Sequence, residues 1–285
     1  MNIQWYPGHM AKARRKIAEE LKLVDIVIEL IDARIPVSSR NPEVDNIVEN
    51  KKRIIVLNKS DMADPELNNM WKKHFAQRGV TAILTNSNKG TGLKDILSES
   101  KKLMKDEHEK LRKKGLLHKT IRALVIGIPN VGKSTLINKL ANRSIAQTGD
   151  KPGITKAKQW IRINNDFELL DTPGILWPKF DDETVGLHLA LTGAIKDEIL
   201  DVEGLSKKFI LKALNEFPDK LYKRYNIELD QDADVESIMN IIGRKRGCIL
   251  PGDKVDINRT ASLILDDFRS GRIGLITLEK PKDTF

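Results

Sequence analysis

A single cysteine, Cys248, stands in 285 residues, so neither a disulfide framework nor a thiolate metal cluster is available. No apolar run approaches the roughly 18 residues needed to cross a bilayer, and the N-terminal stretch lacks the apolar segment of a signal peptide. Strict repeats and low-complexity tracts are missing as well. These absences set the expectation of a cytoplasmic protein with no membrane contact. What is present is 40% apolar residues, enough for a real core, in a chain long enough for one domain of ordinary size beside a smaller one. Lysine and arginine number 49 against 40 aspartate and glutamate, giving a formal charge of +9 and a pI near 9.4. That balance favours a phosphate-rich partner, although a merely soluble basic protein has it too.

The chain is organised around the stretch IRALVIGIPNVGKSTLINKL, from Ile121 to Leu140. Ile121 to Ile126 reads as a strand, glycine and proline then turn the chain, and Leu136, Ile137 and Leu140 have helical spacing. Between strand and helix runs G-x-x-x-x-G-K-S, from Gly127 to Ser134. Its backbone N–H groups, with Val131, Gly132, Lys133, Ser134 and Thr135 at the mouth of the helix, make a positive concavity for a diphosphate. Lys133 is placed to reach the β and γ phosphates, and the Ser134 hydroxyl to ligate Mg²⁺. A glycine turn beside a lysine is the bland alternative, and the coincidence of both glycines, Lys-Ser and the strand-to-helix context weighs against it.

In chain order, Trp5-Tyr6-Pro7-Gly8 is an aromatic turn ahead of His9. Met10, Ala13, Ile17, Leu21 and Val24 then share one helical face, with Lys12, Arg15, Lys16 and Lys22 largely on the other. Ile26 to Ile31 reads as a buried strand with Glu29 inside it, ending at Asp32-Ala33-Arg34-Ile35-Pro36, and a short helix fits residues 43–50. A strand from Arg53 to Leu57 delivers Asn58-Lys59-Ser60-Asp61 at its C-terminal end, where ligand groups of open α/β sheets collect. Helix from Pro65 to Gln77, strand from Val80 to Leu84, a polar TNSNKGTG loop and a helix from Leu93 follow. Lys101 to Arg122 is strongly basic and reads as an exposed helix end and linker. Asn142 to Lys156 is a polar loop long enough to suggest function. Gln159 to Ile163 and Phe167 to Leu170 read as a strand pair, leading to Asp171-Thr172-Pro173-Gly174.

Beyond Pro178 strand patterns give way to helical ones: Thr184 to Leu200, Leu205 to Phe217, Ala233 to Ile242 and Asn258 to Phe268, the last with Asn258 as a suitable N-cap. Arg244-Lys245-Arg246 is expected in a loop, as a surface cluster or a phosphate contact, and Gly274 to Leu278 as a short final strand.

Two further motifs turn the phosphate loop into a guanine nucleotide site. Asp171 ends a strand beside a Mg²⁺ held by Ser134, and Gly174 supplies an N–H for a γ-phosphate. The Asp61 carboxylate accepts two hydrogens from guanine N1 and its exocyclic amine, which adenine cannot offer. Lys59 lies along the base plane and Asn58 braces the loops. Alone, NKSD is as easily a surface turn as a pocket; the other two motifs give it weight.

The motif order is unusual, with the base motif ahead of the phosphate loop. A parallel sheet can be cut at an exposed loop and rejoined at adjacent termini without altering its site. With WYPGHM, DARIP, NKSD, GIPNVGKS, KPGIT and DTPG in this order, the chain resembles the circularly permuted GTPases of the translation-factor superclass over essentially its full length. The resemblance implies an α/β fold: a circularly permuted P-loop GTPase domain over residues 1–178, with a mostly parallel six-stranded sheet and helices on both faces, then a small all-helical, RNA-binding domain over 179–285. It implies GTP and GDP as ligands and the large ribosomal subunit with its rRNA as partner. Such proteins act late in assembly of that subunit, bind in the GTP state and leave on hydrolysis, with neither DNA nor membrane involved and a monomer away from the ribosome. Thr155 matches the first switch threonine that coordinates Mg²⁺, and Asn86-Ser87 the loop whose backbone contacts the base, although the usual Ser-Ala wording is absent. Asn130 matches the asparagine through which related GTPases hold K⁺, a charge that substitutes for an arginine finger.

A conventional small GTPase carries a glutamine after the last glycine of DTPG to orient water. Here Ile175 stands there, and isoleucine can neither accept a proton nor hold a water. The resemblance offers His9 instead, swung towards the γ-phosphate; a turn histidine is otherwise incidental. His9, Lys133 and Gly174 are thus the expected catalytic set, with Ser134, Thr155, Asp171 and Asn130 as metal ligands. Two alternatives stay open: a nucleotide-gated binding module whose hydrolysis is incidental, and a GTPase acting on a protein or membrane partner.

Overall fold

The structure, a computed structural model, describes residues 17–42, 44–48, 51–115, 119–142, 159–171, 182–228 and 234–281. Residues 17–21 are helical (α1). There follow β1 (Ile26–Asp32), α2 (Val44–Ile47), β2 (Lys52–Asn58), α3 (Pro65–Gln77), β3 (Thr81–Leu84), α4 (Leu93–Lys113), β4 (Ile121–Gly127), α5 (Lys133–Ala141), β5 (Gln159–Asn164) and β6 (Phe167–Asp171). The six strands form one sheet in the order β3-β2-β1-β4-β6-β5, parallel throughout except for the hairpin partner β5.

β1 is buried at every position, as its apolar run requires of a strand covered on both faces. Alternation sends Val27, Glu29 and Ile31 to one face. Val27 joins Ile17, Leu21, Val24, Leu124, Ile126 and Leu170 in one apolar cluster, and Ile31 joins Ile55, Leu57, Trp71 and Phe75 in another. Glu29 sits between the two, held by Arg40 at 3.0 Å and Arg53 at 3.4 Å, so an acid inside a strand is tolerated because two guanidinium groups neutralise it. α3 begins where its sequence says: Asp64 accepts from Glu66 and Leu67 N–H, and Pro65 needs no donor in the first turn. The chain steps outward from β2 to β3, then back across to β4. Right-handed crossovers therefore put α3 and α4 on opposite faces.

The chain divides into two compact units, the first running through Gly186 and taking in the residues from Thr277 onward, the second spanning Leu187–Ile276. The sequence reading put the boundary after residue 178 and gave everything beyond it to the helical part. The second unit holds the end of α6 (Glu183–Leu191), a 3-10 turn at Asp197–Ile199, α7 (Val202–Glu216), α8 (Pro218–Tyr225), α9 (Val235–Lys245), a hairpin of β7 (Ile249–Leu250) with β8 (Lys254–Val255), and α10 (Ile257–Arg269). Phe209 packs 4.8 Å from Phe268 and 6.2 Å from Phe217 between α7 and α10.

Several local expectations change here. α6 stops at Leu191 instead of reaching Leu200, because Gly193 turns left-handed and the Arg269 guanidinium takes the carbonyls of Ala190 and Leu191. α8 was not expected; Pro218 opens it straight after Phe217. Asp256, not Asn258, caps α10, accepting from Arg259 N–H. Arg244 and Lys245 lie in the last turn of α9, not in a loop, and all three basic residues are engaged: Arg244 with Asp253, Lys245 with the Asn226 carbonyl, Arg246 with the Arg224 carbonyl and the Tyr225 ring. Gly274 to Leu278 forms no strand; Leu278 N–H instead donates to the Arg34 carbonyl.

Candidate nucleotide site

The register of the sheet aligns Asp32 with Asn58, Leu30 with Gly127 and Val125 with Asp171, so the loops after β1, β2, β4 and β6 leave one edge together. This is where an open α/β sheet binds its ligand.

Asn58 is the hub of the edge. Its amide donates to the Val131 carbonyl at 2.7 Å, and its Oδ1 accepts from Ser87 N–H (3.1 Å), the Ser87 hydroxyl (2.7 Å) and the Thr85 hydroxyl (3.2 Å). One buried side chain thus ties the phosphate loop to the base loop. Gly132 lies against it: a Cβ there would come within 2.4 Å of Asn58 Nδ2, and φ is +98°. Gly127 is as constrained, since its Cβ would meet the Leu30 carbonyl at 2.7 Å. Both glycines are required by close backbone approach, and Gly132 leaves the first turn of α5 without a side-chain cap. The N–H groups there, with Ser134 and Thr135 partly exposed, are the donors a phosphate needs.

Lys59 and Asn130 both hold left-handed backbone, at φ +58° and +59°. The Lys59 ammonium donates to the Asn130 carbonyl at 2.8 Å and pairs with Asp32 at 3.1 Å. Asp61 is exposed at the rim, as a residue meeting a base must be. Asn86 and Ser87 are buried, and Ser87 turns both donors onto Asn58, so in this structure it braces the base loop.

Lys133 and Asp171 form a buried pair, Nζ to Oδ1 2.6 Å. Burial pushes the lysine below its ordinary pKa, opposed by Asp171 and by the charge of Glu20 on α1. The second carboxylate oxygen, Asp171 Oδ2, is buried and has no hydrogen-bond partner among the described residues. Such an atom fits a ligand-bound metal or its water. No group of three His, Cys, Asp or Glu able to hold a metal is found among the described residues, so a divalent ion here would depend on hydroxyl and phosphate oxygens as well.

His9, Thr155, Gly174 and Ile175 lie outside the described residues. Sequence reasoning missed Asp32, Arg34, Thr85 and Glu20. Asp32 and Arg34 left a signal, as members of the DARIP motif at the end of a strand whose neighbour delivers NKSD.

A family model described as 50S ribosome-binding GTPase matches residues 122–230. Ribosome biogenesis GTPase A of Bacillus licheniformis is 50% identical over 284 residues, covering 99% of this chain and 100% of that protein. Ribosome biogenesis GTPase A of Thermotoga maritima is 33% identical over 99% of this chain and 95% of its own. The crystal structure of GNP-bound YlqF from T. maritima is similar at a TM-score of 0.64 and 29% identity, covering 95% of this chain and 99% of that one. A GDP-bound YlqF structure matches at a TM-score of 0.66 and 28% identity, over 94% of this chain and 100% of that one.

Proposed function

The chain belongs to the ribosome biogenesis GTPase A family and is a GTPase of ribosome biogenesis; from that premise we propose that it acts late in assembly of the large (50S) subunit, binding rRNA of the precursor particle with GTP and leaving on hydrolysis. The observation that best supports its GTP dependence is the Asn58 hub, which joins phosphate loop and base loop through one buried side chain.

GTP lies with its phosphates on the N–H groups from Asn130 to Thr135 and its base against Asp61 and Lys59, with backbone of the Asn86-Ser87 loop at its edge. Ser134 and Thr155 would hold Mg²⁺ with Asp171 beside it, and when bound it would neutralise charge on the β and γ phosphates. Lys133 exchanges its pairing with Asp171 for the phosphates, and the Gly174 N–H marks the presence of the γ-phosphate. His9 orients the attacking water in place of the glutamine that Ile175 replaces, and Asn130 would hold K⁺, which would supply the charge of an arginine finger. The helical part of the chain contacts rRNA through exposed cations other than Arg244, Lys245 and Arg246, which are engaged within the fold. The protein is cytoplasmic and works as a monomer off the ribosome, and no described helix is long and apolar enough to cross a membrane.

GTP turnover with and without purified large subunits tests enzyme and partner together; turnover that subunits leave unchanged would overturn the partner. Full subunit-stimulated turnover in His9→Ala would remove His9 from catalysis, and equal rates in sodium and potassium would remove K⁺. Salt-insensitive binding to rRNA would favour a protein or membrane partner instead.

A further inference from the structure

We propose that Asp32 is a positioning residue for the guanine pocket, holding Lys59 in place, and that the C-terminal segment Thr277–Glu279 holds the loop on which Asp32 depends. The inference rests on reading Asn58-Lys59-Ser60-Asp61 as the base pocket.

Asp32 is 2% exposed at the end of β1, and each of its oxygens is taken. Oδ1 accepts from Arg34 N–H at 3.0 Å and Arg34 Nε at 2.9 Å; Oδ2 accepts from Arg34 Nη2 at 2.7 Å and faces Lys59 Nζ at 3.1 Å. Lys59 is on a strained left-handed backbone, and its long side chain would gain rotamer freedom and hydration by swinging out. The Asp32 carboxylate is the charge that keeps it down, where it also donates to the Asn130 carbonyl of the phosphate loop. Ala33 N–H completes the tie by donating to the Asn58 carbonyl at 2.8 Å. A base that stacks along Lys59 thus meets a side chain already fixed, and the ordering entropy does not come out of binding.

The loop after Asp32 is built of turns, closed by Ile35 N–H to the Asp32 carbonyl and by Ser39, which accepts from Asp32 N–H and donates to the Ile35 carbonyl, and the far end of the chain adds further support. Leu278 N–H donates to the Arg34 carbonyl at 2.8 Å. The Glu279 carboxylate accepts from Val37 N–H at 2.5 Å, from Ser38 N–H at 3.1 Å and from the Ser38 hydroxyl. On its other side the segment is pinned to α3: Trp71 Nε1 donates to the Glu279 carbonyl at 3.1 Å, and Asp64 N–H to the Thr277 hydroxyl at 3.0 Å. Ile276, Thr277 and Leu278 are buried. The segment therefore clamps the Arg34 to Ser38 loop, and with it the guanidinium that orients Asp32.

Fluorescent GDP binding to the full chain, with steady-state GTP turnover beside it, tests this. Asp32→Asn should weaken binding about tenfold, the scale of one charge-assisted hydrogen bond, and Glu279→Gln about threefold, with kcat at saturating GTP within about twofold of the parent. In a Lys59→Ala background both substitutions should lose their effect on binding. Equal fractional losses with and without Lys59 would overturn the proposal, as would unchanged binding in both variants. If Asp32→Asn fails to fold, the Glu279→Gln cycle at the surface decides it. Asp61→Ala separates the two layers: if guanine nucleotide binding survives it, the pocket reading fails, whereas its loss with additive Asp32 and Lys59 effects overturns the positioning alone.

Discussion

The Lys133 ammonium lies 2.6 Å from Asp171 Oδ1, with the lysine 6% and the aspartate 0% exposed. The two groups that a GTPase presents to the γ-phosphate and to Mg²⁺ are thus bonded to each other. On the proposed reading nucleotide binding would open or share this pair, and Asp171 would then be free to face a metal.

Lys133→Ala should abolish GTP turnover and also destabilise the protein by about 3–5 kcal/mol, because Asp171 becomes a buried charge without its partner. Adding Asp171→Asn should restore most of the stability and none of the turnover. Urea unfolding of the two variants beside a GTPase assay checks both halves.

Asp61→Asn should cost guanine nucleotides roughly 100-fold in affinity, since an amide cannot accept both guanine hydrogens. Xanthosine nucleotides, which offer a carbonyl where guanine has the amine, should gain. Asp61 is exposed, so thermal stability without nucleotide should stay that of the parent. Competition binding with GDP and xanthosine diphosphate reads the exchange.

Gly132→Ala places a methyl 2.4 Å from the Asn58 amide on a left-handed backbone. The strain is about 1–3 kcal/mol, and it falls on the Asn58 side chain that joins the two loops. Nucleotide affinity should drop well before the fold does, in contrast to Gly79→Ala, whose Cβ meets nothing within 4 Å and which pays only for its left-handed φ. Calorimetric titration with GDP and a thermal melt separate the effects.

Burial alone would raise the Asp32 pKa, but Arg34 and Lys59 together hold it well below the usual carboxylate range. A depressed folded pKa contributes stability that is complete above the unfolded value, near 3.9, and is lost as pH falls through the folded one. The stability gap between parent and Asp32→Asn should therefore stay constant from neutral pH to about 5 and shrink only below about 4. Urea midpoints across that range give the curve.

Local chemistry was legible in the sequence. The start of α3 follows from Asp64 and Pro65, and the phosphate loop follows from two glycines at fixed spacing before Lys-Ser. The NKSD motif marks Asn58 as the residue that braces the loops, and it bonds to one loop on each side. What escaped depends on distant partners. α6 reads as helical to Leu200 although Gly193 is a local stop signal, because a glycine alone does not announce that Arg269 takes the last carbonyls. Residues 274–278 read like a strand because they are mostly apolar, but the Leu278 N–H pairs with the Arg34 carbonyl and the Thr277 hydroxyl accepts from Asp64 N–H, more than 200 residues away, in no sheet at all. Asp32 was visible as part of a motif; that its carboxylate faces Lys59 came from strand order alone, since β1 and β2 are neighbours.

Since the residues from Thr277 onward return to the unit that ends at Gly186, the stretch from Leu187 to Ile276 is topologically an excursion with both ends moored. Closure entropy of such an excursion grows only logarithmically, about 0.6 kcal/mol for each doubling of length. A change in the length of that stretch would therefore cost the first unit little in closure entropy.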